Sequence, residues 1–160
     1  MTRNSKSNPR EYPNKPVVGV GGVVIRGNET LLIRRGSEPL KDQWSIPGGT
    51  LELGETLREG VARELHEETG IEVNVLDLIE VFERVFPGDD GDPKNPRYHF
   101  VIVDYLCEAA GGLLRAGSDV TDARFVREED LESYGLTETA LRVLRKGFAM
   151  ARARNGQESR

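Results

Sequence analysis

A helix that carries its glutamates beside its apolar face constrains this chain more than any other feature. Residues 56–69, TLREGVARELHEET, are amphipathic when successive residues are placed about 100° apart. The apolar stripe consists of Leu57, Val61 and Leu65. Glu64 and Glu68 lie roughly 20° to either side of Leu57 on this wheel. Carboxylates next to a buried face repel one another and lose hydration, so they need a positive partner, which a divalent cation with oxygen ligands can supply.

Both ends of this helix carry residues that satisfy free backbone groups. Thr56 is suited to the N-cap, and Glu59 stands three residues later, as in a capping box. Gly70 follows the last helical residue and is suited to the left-handed conformation that ends a helix. The sequence therefore predicts a helix with defined limits and a defined set of residues that face the core.

The helix forms the second half of a longer motif. Gly49 is followed after five residues by Glu55, and after seven more by RELHEETGI, residues 63–71. This pattern resembles the Nudix box, Gly-x5-Glu-x7-Arg-Glu-U-x-Glu-Glu-x-Gly-U, in which U is an apolar residue, and every fixed position is matched. The preceding WSIPGG, residues 44–49, is also similar to the family. The predicted division is a flexible lead-in at 1–15, a single Nudix domain at 16–153 and a flexible tail at 154–160.

The residue patterns on both sides of the motif predict an α+β fold. The strands are predicted at 17–25, 30–35, 71–86, 98–107 and 123–126, and the later helices at 128–134 and 137–152. Turn-rich stretches at 36–49 and 87–97 are predicted to be loops. The resemblance implies the Nudix fold, an α/β/α sandwich in which a mixed β-sheet lies between helices.

The resemblance also implies a metal site on the glutamates. In the family, the acids that match Glu67 and Glu68 are typical Mg²⁺ or Mn²⁺ ligands, and the acid that matches Glu64 is a ligand, a general base or both. The carbonyl oxygen of Gly49 is a further metal ligand by resemblance. Helical spacing suits such a site, because residues three and four apart are neighbours on a helix. We predict the three glutamates as catalytic residues and Mg²⁺, with Mn²⁺ as an alternative, as the cofactor.

Arg63 is also predicted to be a catalytic residue, and we interpret it as a group that orients carboxylates rather than one that contacts substrate. A guanidinium can hold neighbouring carboxylates through forked hydrogen bonds. Glu55, Gly48 and Gly70 are predicted to support the site structurally, Gly48 by allowing close backbone approach. The general base is left open between Glu64 and a downstream acid, for which the candidates are Asp104, Asp119 and Asp122.

Three residues before the helix are predicted to bind substrate. Arg34 and Arg35 could reach a phosphate from the strand that precedes the motif, although a role at a surface strand end is an alternative. Trp44 could stack on a base, with packing against the neighbouring loop as the alternative.

Composition limits the class of partner. The net charge of −5 argues against a nucleic-acid polymer or a membrane surface as the main ligand. The single cysteine excludes an intrachain disulfide, and no stretch resembles a signal peptide or a membrane span, so a cytoplasmic location is predicted. The predicted partner is a nucleotide-type small molecule, and a homodimer is left open.

The flanking strands favour one substrate. VGVGGVVI before the motif and YHFVIVDYLCEAAGG after it are similar to small ADP-ribose pyrophosphatase-like members of the family. The leading interpretation is therefore hydrolysis of ADP-ribose to AMP and ribose 5-phosphate. The alternatives are a pyrophosphohydrolase of nucleoside triphosphates, including oxidised ones, an enzyme of dinucleoside polyphosphates, and a non-catalytic nucleotide-binding regulator.

Overall fold

A computed structural model of the chain describes residues 8–117 and 119–158. The strands in chain order are β1 (Val17–Arg26), β2 (Glu29–Arg35), β3 (Trp44–Ser45), β4 (Gly48–Thr50), β5 (Ile71–Phe86), β6 (Tyr98–Gly112) and β7 (Val120–Arg127). The helices are α1 (Leu57–Thr69), a 3-10 helix (Glu128–Tyr134) and α2 (Glu138–Glu158). Within the described part of the chain, no helix is both long enough and apolar enough to cross a membrane.

The strands form one mixed sheet. The main order is β3-β2-β1-β6-β5, while β4 pairs with β1 and β7 pairs with β2. The β1–β6 pair is parallel, and the other pairs are antiparallel. β1 lies at the centre of the site described below, because its Gly21 is opposite Gly48 of β4 on one side and Asp104 of β6 on the other.

The two long helices cover opposite faces of this sheet. Val20 and Val24 of β1 pack with Val61 and Leu65 of α1. Val23, which points to the other face because strand side chains alternate, packs against α2. Each fully buried aliphatic side chain of this kind contributes about 1.5–3 kcal/mol. The predicted α+β sandwich, with a mixed sheet between helices, is confirmed.

Several predicted elements have different limits in the structure. The predicted loop 36–49 contains the short strands β3 and β4, and the predicted helix 128–134 is a 3-10 helix. Strands β6 and β7 are longer than predicted. Helix α2 continues to Glu158, so residues 154–158 of the predicted tail are helical.

The predicted flexible lead-in is bonded to the rest of the protein where it is described. The Tyr12 N–H donates to the Arg97 carbonyl at 2.8 Å, and the Arg97 side chain donates to Glu11 at 2.9 Å. Residues 11 and 12 therefore contact the turn-rich 87–97 segment, whereas the Asn8 and Arg10 side chains donate to the Glu38 carbonyl. Residues 1–7 of the lead-in, and 159–160 of the tail, lie outside the described residues.

Candidate active site

The position of every glutamate in the site depends on where α1 begins and ends. The Thr56 hydroxyl accepts from the Glu59 N–H at 3.1 Å, and the Glu59 carboxylate accepts from the Thr56 N–H at 2.8 Å. At the other end, Gly70 has a left-handed φ of 74°, and its N–H donates to the His66 carbonyl at 2.9 Å. The predicted capping box and glycine stop are both present, so the phase of the helix is set locally.

Arg63 holds three glutamates in place. Its Nε and Nη2 donate to the two carboxylate oxygens of Glu55 at 2.6 and 2.8 Å. Its Nη1 donates to Glu64 at 2.8 Å and to Glu67 at 3.2 Å. These bonds from Arg63 lower the pKa of Glu55 to about 2. The forked geometry agrees with the predicted orienting role of Arg63 and the supporting role of Glu55.

Glu68 is the most strongly perturbed acid of α1. Its carboxylate accepts a hydrogen bond from the Gly48 N–H at 3.0 Å. Burial raises the pKa of Glu68 to about 8, and the negative charges of Glu64 and Asp119 act in the same direction. The positive charge of Arg35 acts in the opposite direction but does not outweigh burial, so a bound cation would stabilise the charged form of Glu68 further.

Two glycines of β4 bring the backbone close to these acids. A Cβ on Gly49 would lie 2.5 Å from the Glu64 carboxylate, so any other residue would displace that side chain. A Cβ on Gly48 would lie 2.1 Å from the Val20 carbonyl oxygen, so the β1–β4 pairing itself requires glycine. The strand that supplies the Gly49 carbonyl is therefore held directly against α1.

The chemistry of this donor set fits a hard divalent cation. Carboxylate and carbonyl oxygens are the ligands that Mg²⁺ and Mn²⁺ prefer. Among residues 8–117 and 119–158, no three acidic, histidine or cysteine side chains converge closely enough to hold a metal. The reason is visible in the hydrogen bonds: Arg63 holds Glu64 and Glu67, and Glu68 turns to Gly48. Metal binding by all three glutamates requires their carboxylates to rotate.

A cleft of about 720 Å³ opens from the glutamates across the α2 face of the sheet. Its floor is formed by Gly19 and Gly21 of β1, Ile102 of β6 and Phe82 of β5. The volume lies within the range of about 300–1,000 Å³ that is usual for small-molecule sites. Gly48, Gly49 and the three predicted catalytic glutamates form its acidic end, so these sequence predictions converge on one place.

The two arginines of β2 that were predicted to bind substrate have different positions relative to the cleft. Arg35 lines the cleft, and its Nε donates to the Pro39 carbonyl at 2.6 Å. Burial, followed by the positive charge of Arg10, lowers the pKa of Arg35. Arg34 is exposed, donates to the Asp42 carbonyl at 3.1 Å and does not line the cleft. The role of Arg34 in substrate binding stays a prediction, and the alternative of a surface role agrees with its exposed position.

Trp44 has one part in the cleft and another part packed against protein. It lines the cleft, and it also packs edge-to-face on Tyr134 with ring centroids 5.2 Å apart. The Arg124 guanidinium lies 4.7 Å from the Trp44 ring centroid. Part of the indole is therefore already covered by protein, which limits the surface that a base could use.

The three downstream acids have different surroundings. Asp119 lies beside Glu68 and lines a second cavity of about 330 Å³ next to the glutamates. Asp122 is paired with Arg124 and does not line the cleft, which makes it the less favoured candidate. Asp104 lines the cleft but is influenced by Arg84 rather than by the acids of α1. Among the candidates for the general base, Glu64 and Asp119 are the acids whose charges act on Glu68.

Two arginines line the cleft without having been predicted from the sequence. Arg10 lines the cleft from the lead-in, and Arg84 does so from β5, where its Nη2 donates to the Thr137 hydroxyl at 2.8 Å. The period-two pattern Phe82-x-Arg84-x-Phe86 was a usable signal, because all three residues share one face. No comparable signal marks Arg10.

A sequence model described as the NUDIX domain matches residues 15–147. The chain belongs to the Nudix family. The resemblance of the motif is thereby confirmed for most of the chain, and Nudix hydrolases are generally dependent on divalent metals. Members of the family act on different substrates, so membership does not identify the substrate of this one.

Individual Nudix relatives support the assignment. An ADP-ribose pyrophosphatase of Methanocaldococcus jannaschii is 36% identical over 110 residues, which cover 69% of this chain and 61% of the relative. A MutT-like protein of Streptomyces ambofaciens is 34% identical over 140 residues, covering 86% of this chain and 82% of the relative. The crystal structure of a MutT Nudix hydrolase from Burkholderia pseudomallei matches with a TM-score of 0.70 at 28% identity, covering 82% of this chain and 98% of that one.

We expect the metal-free Nudix protein to lose thermal stability as the pH rises from about 5 to about 8. Glu68 has an ordinary pKa of 4.5 and a folded-state pKa of about 8. Between these values the folded state keeps a proton that the unfolded state has released, so stability is highest at the acidic end and falls as pH rises. The pKa of Asp104, raised by burial to about 7, acts in the same direction.

Thermal melts in chelator across this pH range test the expectation. Glu68→Gln should flatten the fall in melting temperature by several degrees, on the scale of a few kcal/mol for one strongly shifted group. Glu72→Gln, at an exposed position of β5, is the matched control and should leave the slope unchanged. An unchanged slope in Glu68→Gln would contradict the assigned burial of this acid.

Proposed function

We propose that this protein is a divalent-metal-dependent hydrolase that cleaves the pyrophosphate bond of a nucleoside diphosphate linked to another group. The observation that carries the proposal is the cluster of Glu64, Glu67 and Glu68 at one end of a cleft of about 720 Å³. The favoured substrate is ADP-ribose, which water would split into AMP and ribose 5-phosphate. The name of the M. jannaschii relative supports this choice.

Each residue of the proposed site has a role that follows from its position. Bound Mg²⁺ or Mn²⁺ supplies charge neutralisation of the phosphate oxygens and a lower pKa for an attacking water. Glu67, Glu68, Glu64 and the Gly49 carbonyl are the proposed ligands. Arg63 keeps the carboxylates aligned through its fork to Glu55. Alignment of this kind is worth a large share of the rate, because a misplaced reacting group loses the benefit of proximity.

Water attacks one phosphorus atom, the bridging P–O bond breaks, and the attacking water loses a proton to a base. Glu64 is the favoured base because burial raises its pKa, which improves its capacity to accept a proton near neutral pH. Asp119 is the alternative, since it lies beside Glu68. Arg35, which also lies near Glu68 in the cleft, is placed to bind a phosphate.

We expect ADP-ribose to be hydrolysed with a higher kcat/KM than any nucleoside triphosphate. The measurement is a substrate panel at one Mg²⁺ concentration, including dinucleoside polyphosphates, with products separated by chromatography. AMP and ribose 5-phosphate are the expected products. Pyrophosphate and a nucleoside monophosphate, formed more efficiently from a triphosphate, would replace this proposal with the triphosphate alternative, which the MutT-like relative favours.

The same panel tests the non-catalytic alternative. A regulator would bind a nucleotide tightly without releasing product at any metal concentration. All acids of the motif are present in this chain, which favours an enzyme. Nucleotide binding without turnover, in protein shown to be folded and metal-loaded, would favour the regulator.

Assembly and location stay predictions. β5 is an edge strand, and its Val81 and Val85 are each 53% exposed, which supports pairing between two copies as one route to a homodimer. Light scattering on the purified protein measures the oligomeric state. A fluorescent fusion at native expression tests the cytoplasmic location.

A further inference from the structure

A buried carboxylate stands in the cleft, away from the metal-ligand candidates. Asp104 is only 3% exposed, yet it lines the cleft. Within residues 8–117 and 119–158, no group donates a hydrogen bond to its side chain. A buried acid without hydrogen bonds costs free energy, so a residue of this kind needs a specific reason.

The nearest charge is an arginine with unused donors. Arg84 of β5 shifts the pKa of Asp104 downward against the effect of burial. Its guanidinium donates one hydrogen bond to a described residue, Thr137 on the cleft wall. Because a guanidinium has five N–H donors, the remaining donors are available to a ligand. An acceptor and a set of donors therefore face the same end of the cleft.

The sheet register places Asp104 two strands away from Gly48, which contacts the glutamates of α1. Gly48, Gly21 and Asp104 lie opposite one another on three adjacent strands. At about 4.8 Å per strand, the Cα atoms of Asp104 and Gly48 are about 10 Å apart, and the Gly48 N–H donates to Glu68. Gly19 and Gly21 of β1 carry no side chain here, and the side chains of Ile102 and Asp104 lie over them.

The walls of the cleft are apolar and partly aromatic. Phe82, Ile46, Ile102 and Trp44 line the cleft together with Asp104. Such surfaces suit the flat face of a heteroaromatic ring, while the unpaired acceptor and donors suit its edge. A ribose would leave these apolar walls unused, which favours a base as the group bound here.

We propose that Asp104 and Arg84 bind the edge of a nucleobase that carries an exocyclic amine beside a ring nitrogen acceptor, as adenine and cytosine do. Asp104 accepts from the amine, and Arg84 donates to the ring nitrogen. The nucleoside lies in the cleft with its phosphates toward the glutamates. This inference rests on the proposed function and adds the group that selects the base.

The test compares ADP-ribose with its inosine analogue, in which a carbonyl replaces the amine. The wild type should favour ADP-ribose in kcat/KM by about tenfold or more, because the analogue leaves Asp104 unpaired. Asp104→Leu should abolish this preference mainly through KM. Asp104→Asn, which adds an N–H donor, should favour the inosine analogue relative to wild type. Glu108→Gln, at an exposed position of the same strand, is the control and should keep the wild-type ratio.

Direct binding separates this inference from the proposed function. Calorimetry with AMP and IMP on metal-free protein needs no turnover, so it reports on base recognition even if none of the nucleotides is hydrolysed. Preference for AMP that is lost in Asp104→Leu supports the inference. Equal affinity of the wild type for AMP and IMP, or an unchanged preference in either variant that circular dichroism shows to be folded, overturns it.

Discussion

Glu67→Gln and Glu68→Gln should each lower kcat on the order of 10²-fold or more, as expected when a principal electrostatic group of a site is removed. Glutamine keeps the size of the side chain and removes the charge that would hold a metal. The two positions differ in their surroundings, since the Glu67 side chain is 57% exposed and Glu68 is bonded to the Gly48 N–H. A large loss of kcat at both positions would therefore indicate that both carboxylates bind the same metal ion, since the two side chains do not share the same packing.

Steady-state kinetics at saturating Mg²⁺, with folding checked by circular dichroism, is the appropriate measurement. Glu72→Gln on β5 is the control, because it removes a carboxylate at an exposed position outside the cleft. Near-normal turnover in both glutamine variants would refute the metal-ligand assignment. Glu64→Gln extends the test: a loss at least as large supports its role as base, and a mild loss transfers that role to Asp119.

Removal of divalent metal should abolish activity, and restoring Mg²⁺ or Mn²⁺ should recover it. Glu64, Glu67 and Glu68 lie on one helix and burial raises the pKa of Glu64 and Glu68, so a divalent cation at this place would stabilise their charged forms. Because metal binds the folded site, it should also raise the melting temperature. At a concentration near 100 times Kd the expected stabilisation is about 2.7 kcal/mol, which corresponds to a rise in melting temperature of roughly 5–11 °C for a domain of this size.

The metal dependence of melting can be assigned to the site by mutation. In the Glu67→Gln/Glu68→Gln double variant the Mg²⁺-induced rise in melting temperature should disappear, whereas Glu72→Gln should keep it. Full activity in chelator, in protein verified as metal-free by elemental analysis, would falsify the proposed metal dependence.

Much of the site could be predicted because its parts are local. The capping box, the glycine stop and the spacing of Arg63, Glu64, Glu67 and Glu68 depend on one helix whose phase is set within its own residues. Helical geometry then places residues three and four apart side by side without help from the rest of the fold. The same argument covers the fork between Arg63 and Glu55, since a short loop joins β4 to α1.

The far end of the cleft could not be predicted in the same way. Asp104, Arg84 and Thr137 come from two strands and the start of α2, and their proximity depends on strand register. β5 also contains irregularities between Val75 and Glu80, each of which can change the face that later residues adopt. Counting alternate residues from the start of β5 therefore does not predict which face of the sheet the Arg84 side chain occupies.

The sequence by itself determined the limits of α1, the set of acids on its inner side, and membership of the Nudix family. Only the tertiary structure decided that Arg35 lines the cleft while Arg34 does not, and that Asp104 lies buried opposite Gly21. The physical reason is range: capping and helical spacing act over a few residues, whereas the cleft is built from strands that are distant in sequence and are aligned by backbone hydrogen bonds.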